Sequence, residues 1–370
     1  MHGIGTEVLK GNRRGSASAA MMGKRFGALL IAVVALLVPT IASRAAERAA
    51  ALSTATTLER IAIGSCLHQA RPQPIWDDVI KAKPQLMLMM GDNVYGDFSD
   101  ETASQLKAAY ATQALHPEFT KARAALPMVA IWDDHDFGRN DGGVDFSHKL
   151  MAAKLFYEFW GTTPPRPPEQ GLHFSRTYGP EGKRVQIILL DTRSFRSPLQ
   201  RKTSAFPHWG PYEPDPDTSK TMLGPEQWAW LEAELQQPAD LRLIVSSVQV
   251  LAEGHGWERW GNFPHERERF LRTLAGARGP AKIVVLSGDR HGAAIYSAQN
   301  AGGEIVEITS SALNIPPPGP NRDARVAPLV TDVYVAENFG VLDFDWTNRK
   351  LTVSLLGLKG QTLADRVVPF

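Results

Sequence analysis

The sequence predicts an α/β domain whose largely parallel sheet core closes in antiparallel strands. Three observations carry this. From Leu58 onward, short apolar runs alternate with helical patterns, as in layered strand–helix folds. The helical patterns stop near Ala293 and only short strands follow. Four of the six apolar runs before that point end in polar clusters, as strands do when their carboxyl ends border a site.

The elements follow in order. IAIGS from Ile61, QLMLMMGD from Gln85, PMVAIWDD from Pro127, VQIILLD from Val185, LRLIVSS from Leu241 and KIVVLSGD from Lys282 read as buried strands. Helices are expected around Pro74–Ala82, Ser99–Leu115, His148–Trp160, Pro225–Gln236 and Pro264–Ala275. Ser99 and Thr102 open the second, and Pro225 opens the fourth, where its missing N–H does no harm. AAIYSA, EIVEITSS, FGVLDFDW and KLTVSLLG supply the closing strands. The proline clusters at 164–168 and 316–320 mark loops, so a single catalytic domain is expected over residues 58–370.

Composition removes several classes of function. The chain has 370 residues, 43% of them hydrophobic, and a net charge of +1. That makes no electrostatic case for a nucleic-acid partner. Its single cysteine excludes an internal disulfide framework and any multi-cysteine zinc or iron–sulfur site.

The N-terminus is expected to be a leader over residues 1–45. MMGKRF is a short basic start, and the apolar run from Gly27 to Ala42 ends in small residues. This is the pattern of a secretory signal cleaved after Ala42 or Ala45. The run is too short for a spanning helix, which needs about 20 residues, so no stable membrane insertion is expected after cleavage. The protein would then be periplasmic or secreted, by the general or the twin-arginine route. Arg13 and Arg14 pair, but far upstream of the apolar run, and Met21 or Met22 is an alternative start. Residues 1–45 carry six Lys/Arg and one Glu, so the remainder is mildly acidic.

Chemistry gathers at the strand ends GSCLHQ, GDNVYGD, WDDHDFGRND and SGDRH. These bring Cys66, His68, Asp92, Asp97, Asp133, Asp134, His135, Asp136, Asp289 and His291 towards one rim. So many carboxylates cannot share a rim ionised without cations, because repulsion and desolvation would cost several kcal/mol, roughly, for each. Mixed carboxylate, imidazole and amide donors suit a hydrolytic di-metal centre better than a structural zinc. No serine lies in a nucleophile-elbow context; Gly64-Ser65-Cys66 is too short a pattern.

In the order GSCLHQ, GDNVYGD, IWDDHDFGRND, LDTRSFR and SGDRH, the chain resembles the PhoD-like alkaline phosphatases, a branch of the calcineurin-like metallophosphatases. The resemblance implies two packed mixed β-sheets flanked by helices, a four-layer sandwich. It also implies a di- or trinuclear metal site and hydrolysis of small phosphate esters by a metal-activated water. It assigns Asp92 as the carboxylate bridging the metals, with Asn93 orienting substrate or serving its turn. Tyr95 is either a tyrosinate ligand to Fe(III) or an aromatic packed beneath it. Cys66 matches the thiolate ligand of the same ion, and His68 stands open between ligand and bystander. Asp134 is expected on the second metal, and His135 is expected to protonate the leaving alkoxide with Asp133 holding its orientation. Asn140 is a weaker candidate for a metal. Asp289 and His291 close the ligand set, making the second site oxygen-rich and suited to calcium or another hard divalent ion. Ser246 and Ser247 stand where the wider superfamily places a further metal histidine, so His255 is either recruited from the next loop or structural. Arg193 and Arg196 either grip phosphate or pair with the acidic rim. Trp257 and Trp260 line a cleft or pack in the core. A nuclease or phospholipase on the same site, and a degenerate phosphate-ligand binding protein, are the competing expectations.

Overall fold

The computed structural model describes residues 53, 55–203, 209–279, 281–317 and 328–370. The expected leader and its cleavage region lie outside them, as does most of the 316–320 proline loop. Among the described residues, no helix is long and apolar enough to cross a membrane.

Among the described residues, twelve strands form two mixed six-stranded sheets. The first has the order β12-β11-β10-β1-β2-β3. Its members are β1 (Arg60–Gly64), β2 (Leu86–Met90), β3 (Met128–Ile131), β10 (Asn338–Asp345), β11 (Lys350–Gly357) and β12 (Thr362–Pro369). The second has the order β4-β5-β6-β7-β9-β8. It contains β4 (Phe174–Tyr178), β5 (Val185–Leu189), β6 (Leu241–Ser246), β7 (Lys282–Ser287), β8 (Ala293–Asn300) and β9 (Gly303–Ser310). β1, β2 and β3 run parallel, as do β5, β6, β7 and β9, while the flanking pairs are antiparallel. The expected parallel core is therefore split between two sheets, each finished by antiparallel strands.

Period-two packing explains the uninterrupted apolar runs. In the second sheet, Val185, Ile187, Leu189, Leu243, Val245, Val284 and Leu286 join Ala62, Met87 and Met89 of the first in one core. The alternate residues Ile188, Ile244, Ile283 and Val285 pack outward under helices α6 (Gly224–Glu234) and α7 (Pro264–Ala275). A strand buried on both faces has no polar side to show. β11, paired between β10 and the edge strand β12, alternates exposed or half-buried with buried residues, as its sequence KLTVSLLG does.

The remaining helices are α1 (Ile75–Lys81), α2 (Ser104–Leu115), α3 (Pro117–Ala125), the single turn α4 (Asp134–Phe137) and α5 (Lys149–Trp160). α2 starts five residues later than expected, because the Asp100 carboxylate accepts the Thr102 N–H at 2.8 Å and closes a turn there. α3 breaks from α2 at Pro117, which stands in its first turn. α5 ends on Gly161 at φ 64, a left-handed cap.

Candidate active site

Each polar cluster sits just beyond the carboxyl end of a parallel strand: Cys66 after β1, Asp92 after β2, Asp133 after β3, Asp289 and His291 after β7, and Ser311 after β9. The chain turns sharply to aim these groups. Cys66 (φ 59), Asp92 (φ 49), Asp289 (φ 65) and His291 (φ 54) are all left-handed. That region is sparsely populated by side-chain-bearing residues and costs about 1–3 kcal/mol where strained. Four candidate ligands thus hold backbones that only a surrounding structure can enforce. Gly91 makes the closest approach possible: at φ 109, a Cβ there would lie 2.4 Å from the Asp133 Cβ. The glycines of both GD motifs serve such contacts, since a Cβ on Gly288 would lie 2.6 Å from Ser65 Oγ.

The candidate ligands form a connected series. Ligand atoms of Cys66, Asp92 and His291 lie within 4.8 Å of one another, as do those of Asp92, Asp134 and His135, and those of Asp133, Asp134 and Asp289. Tyr95 completes the first group: its hydroxyl donates to Asp92 Oδ2 at 3.2 Å and lies 3.0 Å from His291 Nε2. Cys66 Sγ is 3.5 Å from the same Asp92 oxygen. One end of the series therefore offers thiol, phenol, imidazole and carboxylate, and the other offers carboxylates. Asp92 belongs to the first group and the middle one, and Asp134 links the middle one to the last.

Electrostatics agree with a cation-binding role. Burial, with Asp134 and Cys66 close by, pushes the Asp92 carboxyl well above its ordinary value. Burial and Asp133 do the same to Asp289, and burial pushes the Cys66 thiol to about 12 and the Tyr95 phenol well up. The His291 imidazole falls to about 4 through burial and the nearby Arg290 charge. Asp134 is the exception: burial opposes its charge, but His135, Arg193 and the Asp141 amide outweigh burial and hold it below the usual range. Asp134 Oδ1, Asp133 Oδ2 and Asn93 Oδ1 are buried without any hydrogen-bond donor. Buried oxygens of this kind are seldom left unpaired in a folded protein. A donor set with buried, partnerless carboxylate oxygens beside neutral imidazole, thiol and phenol fits metal ions.

The geometry gives the remaining candidate residues other partners. Arg193 and Arg196 are buried among acidic side chains. Arg193 pairs with Asp133 through Nε at 2.5 Å and with Glu258 through Nη1 at 2.5 Å, and Arg196 Nε reaches Glu258 at 2.8 Å. Asn93 braces its turn, with Nδ2 donating to Ile131 O at 3.0 Å and Asp136 Oδ1 at 2.9 Å. Asp133 does not hold His135; its Oδ1 accepts Arg193 and, at 2.6 Å, the Ser247 hydroxyl. The partner of His135 is Asp97, whose Oδ2 lies 2.9 Å from Nδ1. His68 joins none of the ligand groups. Its Nδ1 accepts the Ala70 N–H at 3.2 Å, and its ring stacks on Tyr95 at 5.1 Å. Asn140 is exposed and donates to Asp141 at 2.8 Å. His255 is buried in its loop, bonded to Gln249 at 3.0 Å and to the Trp257 N–H at 3.1 Å. Trp260 packs on Phe270 in the core, while Trp257 stays exposed.

Sequence reasoning missed Ser311 and Asp191, which brace the site, and placed Asp136 at the rim without its bracing contacts. Ser311 Oγ lies 3.0 Å from Cys66 Sγ and accepts the His291 N–H at 2.9 Å, joining the two ends of the chain's ligand set. Asp136 accepts the backbone N–H groups of Asn93 and Asp133 at 3.0 and 3.1 Å, locking two of the clusters together. Asp191 of LDTRSFR accepts the Trp132 indole N–H at 2.9 Å and the N–H groups of Arg193 and Ser194 at 3.0 Å each. Only the WDD and LDTRS strand ends hinted at these contacts.

Comparison with known proteins gives one consistent answer. Over 192 residues, the chain is 25% identical to alkaline phosphatase D of Bacillus subtilis (strain 168), a stretch covering 46% of this chain and 32% of that protein. The match thus spans about a third of the length of this curated relative. A solved structure of PhoD superposes with a TM-score of 0.66 at 17% identity, over 85% of this chain and 69% of that one. GAP50, described as the anchor in the inner membrane complex of Plasmodium, shares the fold at a TM-score of 0.56 and 13% identity, over 85% of this chain and 90% of its own. The sequence profile described as PhoD-like phosphatase matches residues 61–355, from β1 into β11, and the chain belongs to the PhoD-like phosphatase family.

Proposed function

We propose that the protein is an exported, metal-dependent phosphoric ester hydrolase acting on small phosphate mono- or diesters. One observation carries the reading: the Asp92 carboxylate is shared by the Cys66–His291 group and the Asp134–His135 group. A single carboxylate between two donor sets is the arrangement a two-ion centre needs. Cys66, Tyr95, Asp92 and His291 would hold one ion, and Asp92 and Asp134 the other, with Asp289 joined to that set through Asp134. Soft thiolate beside phenolate favours a transition metal such as Fe(III) at the first, and the oxygen-rich second suits calcium or another hard divalent ion. Bound there, the ions supply positive charge against the phosphoryl oxygens and acidify a water towards neutrality.

The chain's own residues complete the chemistry. Asp97 holds His135 by Nδ1 at 2.9 Å, which leaves the other ring nitrogen to deliver a proton to the departing alcohol. Arg193 neutralises Asp133 from behind and keeps the rim carboxylates in place. His68 stacks on Tyr95 and fixes the phenol's plane. The basic start and short apolar run of residues 1–45 support export.

Metal analysis of the purified protein, with phosphate release from mono- and diesters, tests the reading. Asp92→Asn is expected to abolish activity and lower metal content while leaving the fold intact; near-normal activity and metal would overturn the assignment. With iron present the protein is expected to be coloured. Tyr95→Phe should remove the phenolate component of the visible band and Cys66→Ala should shift it. A colourless, iron-free and fully active enzyme would overturn the iron assignment alone.

A further inference from the structure

Trp257 is an exposed aromatic side chain that the chemistry above leaves unused, and two ties bring it near the site. Its neighbour in sequence, Glu258, contributes a carboxylate oxygen to a group with Asp134 and Asp141, all within 4.8 Å of one another. From the other side, Arg290, which stands between the candidate ligands Asp289 and His291, lies over the indole ring at 5.8 Å from its centroid. The indole is nevertheless 37% exposed, whereas Trp260 three residues on is fully buried. Hydrogen bonds and ion pairs tie down the loop that presents it. The His255 ring accepts the Trp257 N–H at 3.1 Å, and Glu258 is fixed by both buried arginines. Backbone bonds from Tyr212 N to Gly256 O at 2.7 Å and from Gly256 N to Trp209 O at 2.5 Å interlock it with the neighbouring loop.

We infer that Trp257, backed by Arg290, is a platform for the leaving group of the ester and selects substrates whose leaving group carries a flat unsaturated ring. A guanidinium over one part of an indole strengthens the stack, and a ring laid on tryptophan is held by its face with little demand on hydrogen-bond pattern. Aryl phosphates and nucleoside phosphates share that chemistry. A ringless alcohol or a saturated sugar does not present an unsaturated face. The inference rests on the proposed phosphatase activity and adds its selectivity.

The test compares phenyl phosphate, a nucleoside 5′-monophosphate, glucose 6-phosphate and glycerol phosphate on the metal-loaded enzyme. Trp257→Ala is expected to lower kcat/KM for the ring-bearing substrates about tenfold more than for glycerol phosphate, mostly through KM, in line with the measured worth of one base–aromatic stack. Trp257→Tyr should keep most of the preference, which a merely structural tryptophan would not require. A change limited to phenyl phosphate names an aryl ester, and one limited to the nucleotide names a nucleoside ester; either supports the platform. An equal fall on all four substrates, or one as large on glucose 6-phosphate as on the aromatic esters, would overturn it. A wild-type enzyme that hydrolyses none of them, nor their phosphate diester counterparts, would overturn the phosphatase reading itself, and the platform with it.

Discussion

An arginine beside a carboxylate-rich rim can bind the substrate's phosphate or neutralise the rim, and burial decides between the two. Arg193 is 0% exposed and lies between Asp133 and Glu258, themselves buried. Both carboxylates push its guanidinium well above the ordinary value although burial works against the charge. Removing one partner of such a cluster strands the others. Arg193→Ala is therefore expected to cost about 3–5 kcal/mol of stability, seen as an earlier midpoint in denaturant unfolding. A variant that unfolded like the parent but showed a raised KM would restore the substrate-binding role. Arg196 belongs to the same cluster, so the two substitutions should be strongly non-additive. At this scale, residue type was legible in the sequence and its partner was not. Cys66 and Ser311 meet across 245 positions of chain, and nothing local announces the contact.

Turns, rather than strands, give the site its shape. Gly91, in the turn after β2, sits at φ 109 with Asp133 of the β3 turn against it. Gly91→Ala should therefore carry two penalties, backbone strain and overlap, together about 2–5 kcal/mol, and should lower bound metal by pushing Asp133 aside. Gly182 offers the control. It is equally left-handed at φ 84, but a Cβ there meets nothing within 4 Å. Gly182→Ala should cost only the strain, about 1 kcal/mol, and leave metal content unchanged. Unfolding curves with metal-to-protein ratios check both; equal costs at the two glycines would remove the overlap argument. The strands leading into these turns were legible because burial on both faces leaves an unbroken apolar run, as in LMLMM and LRLIVS. β4 was not. FSRTY is a half-buried edge strand whose serine and arginine break the pattern. α3 was hidden for a related reason, since Pro117 marks a helix start that reads equally well as the end of α2. Nor could the left-handed backbones of Cys66 and His291 be read from residues that seldom adopt them.

At the scale of the whole molecule, the site is a store of unfavourable charge that only cations relieve, and this gives stability a pH dependence with a definite sign. The Asp92 and Asp289 carboxyls are raised in the fold, by burial first and by neighbouring acids second. A group raised on folding contributes stability below its unfolded value, about 4 for Asp, and that contribution is lost as pH climbs through the folded value. The Cys66 thiol, raised to about 12, adds a second loss above its unfolded value of about 8.5. His291 runs the other way. Lowered to about 4, it favours the fold above about 6.5 and withdraws that support in acid. The chelator-treated protein is therefore expected to be most stable near mildly acidic pH, with a melting temperature that falls steadily between about pH 6.5 and 9.5. Metal binding must deprotonate the same ligands, so the loaded protein should hold its melting temperature across that range. Uptake of metal should release protons, measurable as a dependence of binding heat on the buffer's ionisation enthalpy. Thermal melts of both forms across that range check the first expectation and calorimetry in two buffers the second. A metal-free protein equally stable at both ends, binding its ions without proton release, would mean that the ligand carboxyls, thiol and phenol are already ionised before the metal arrives.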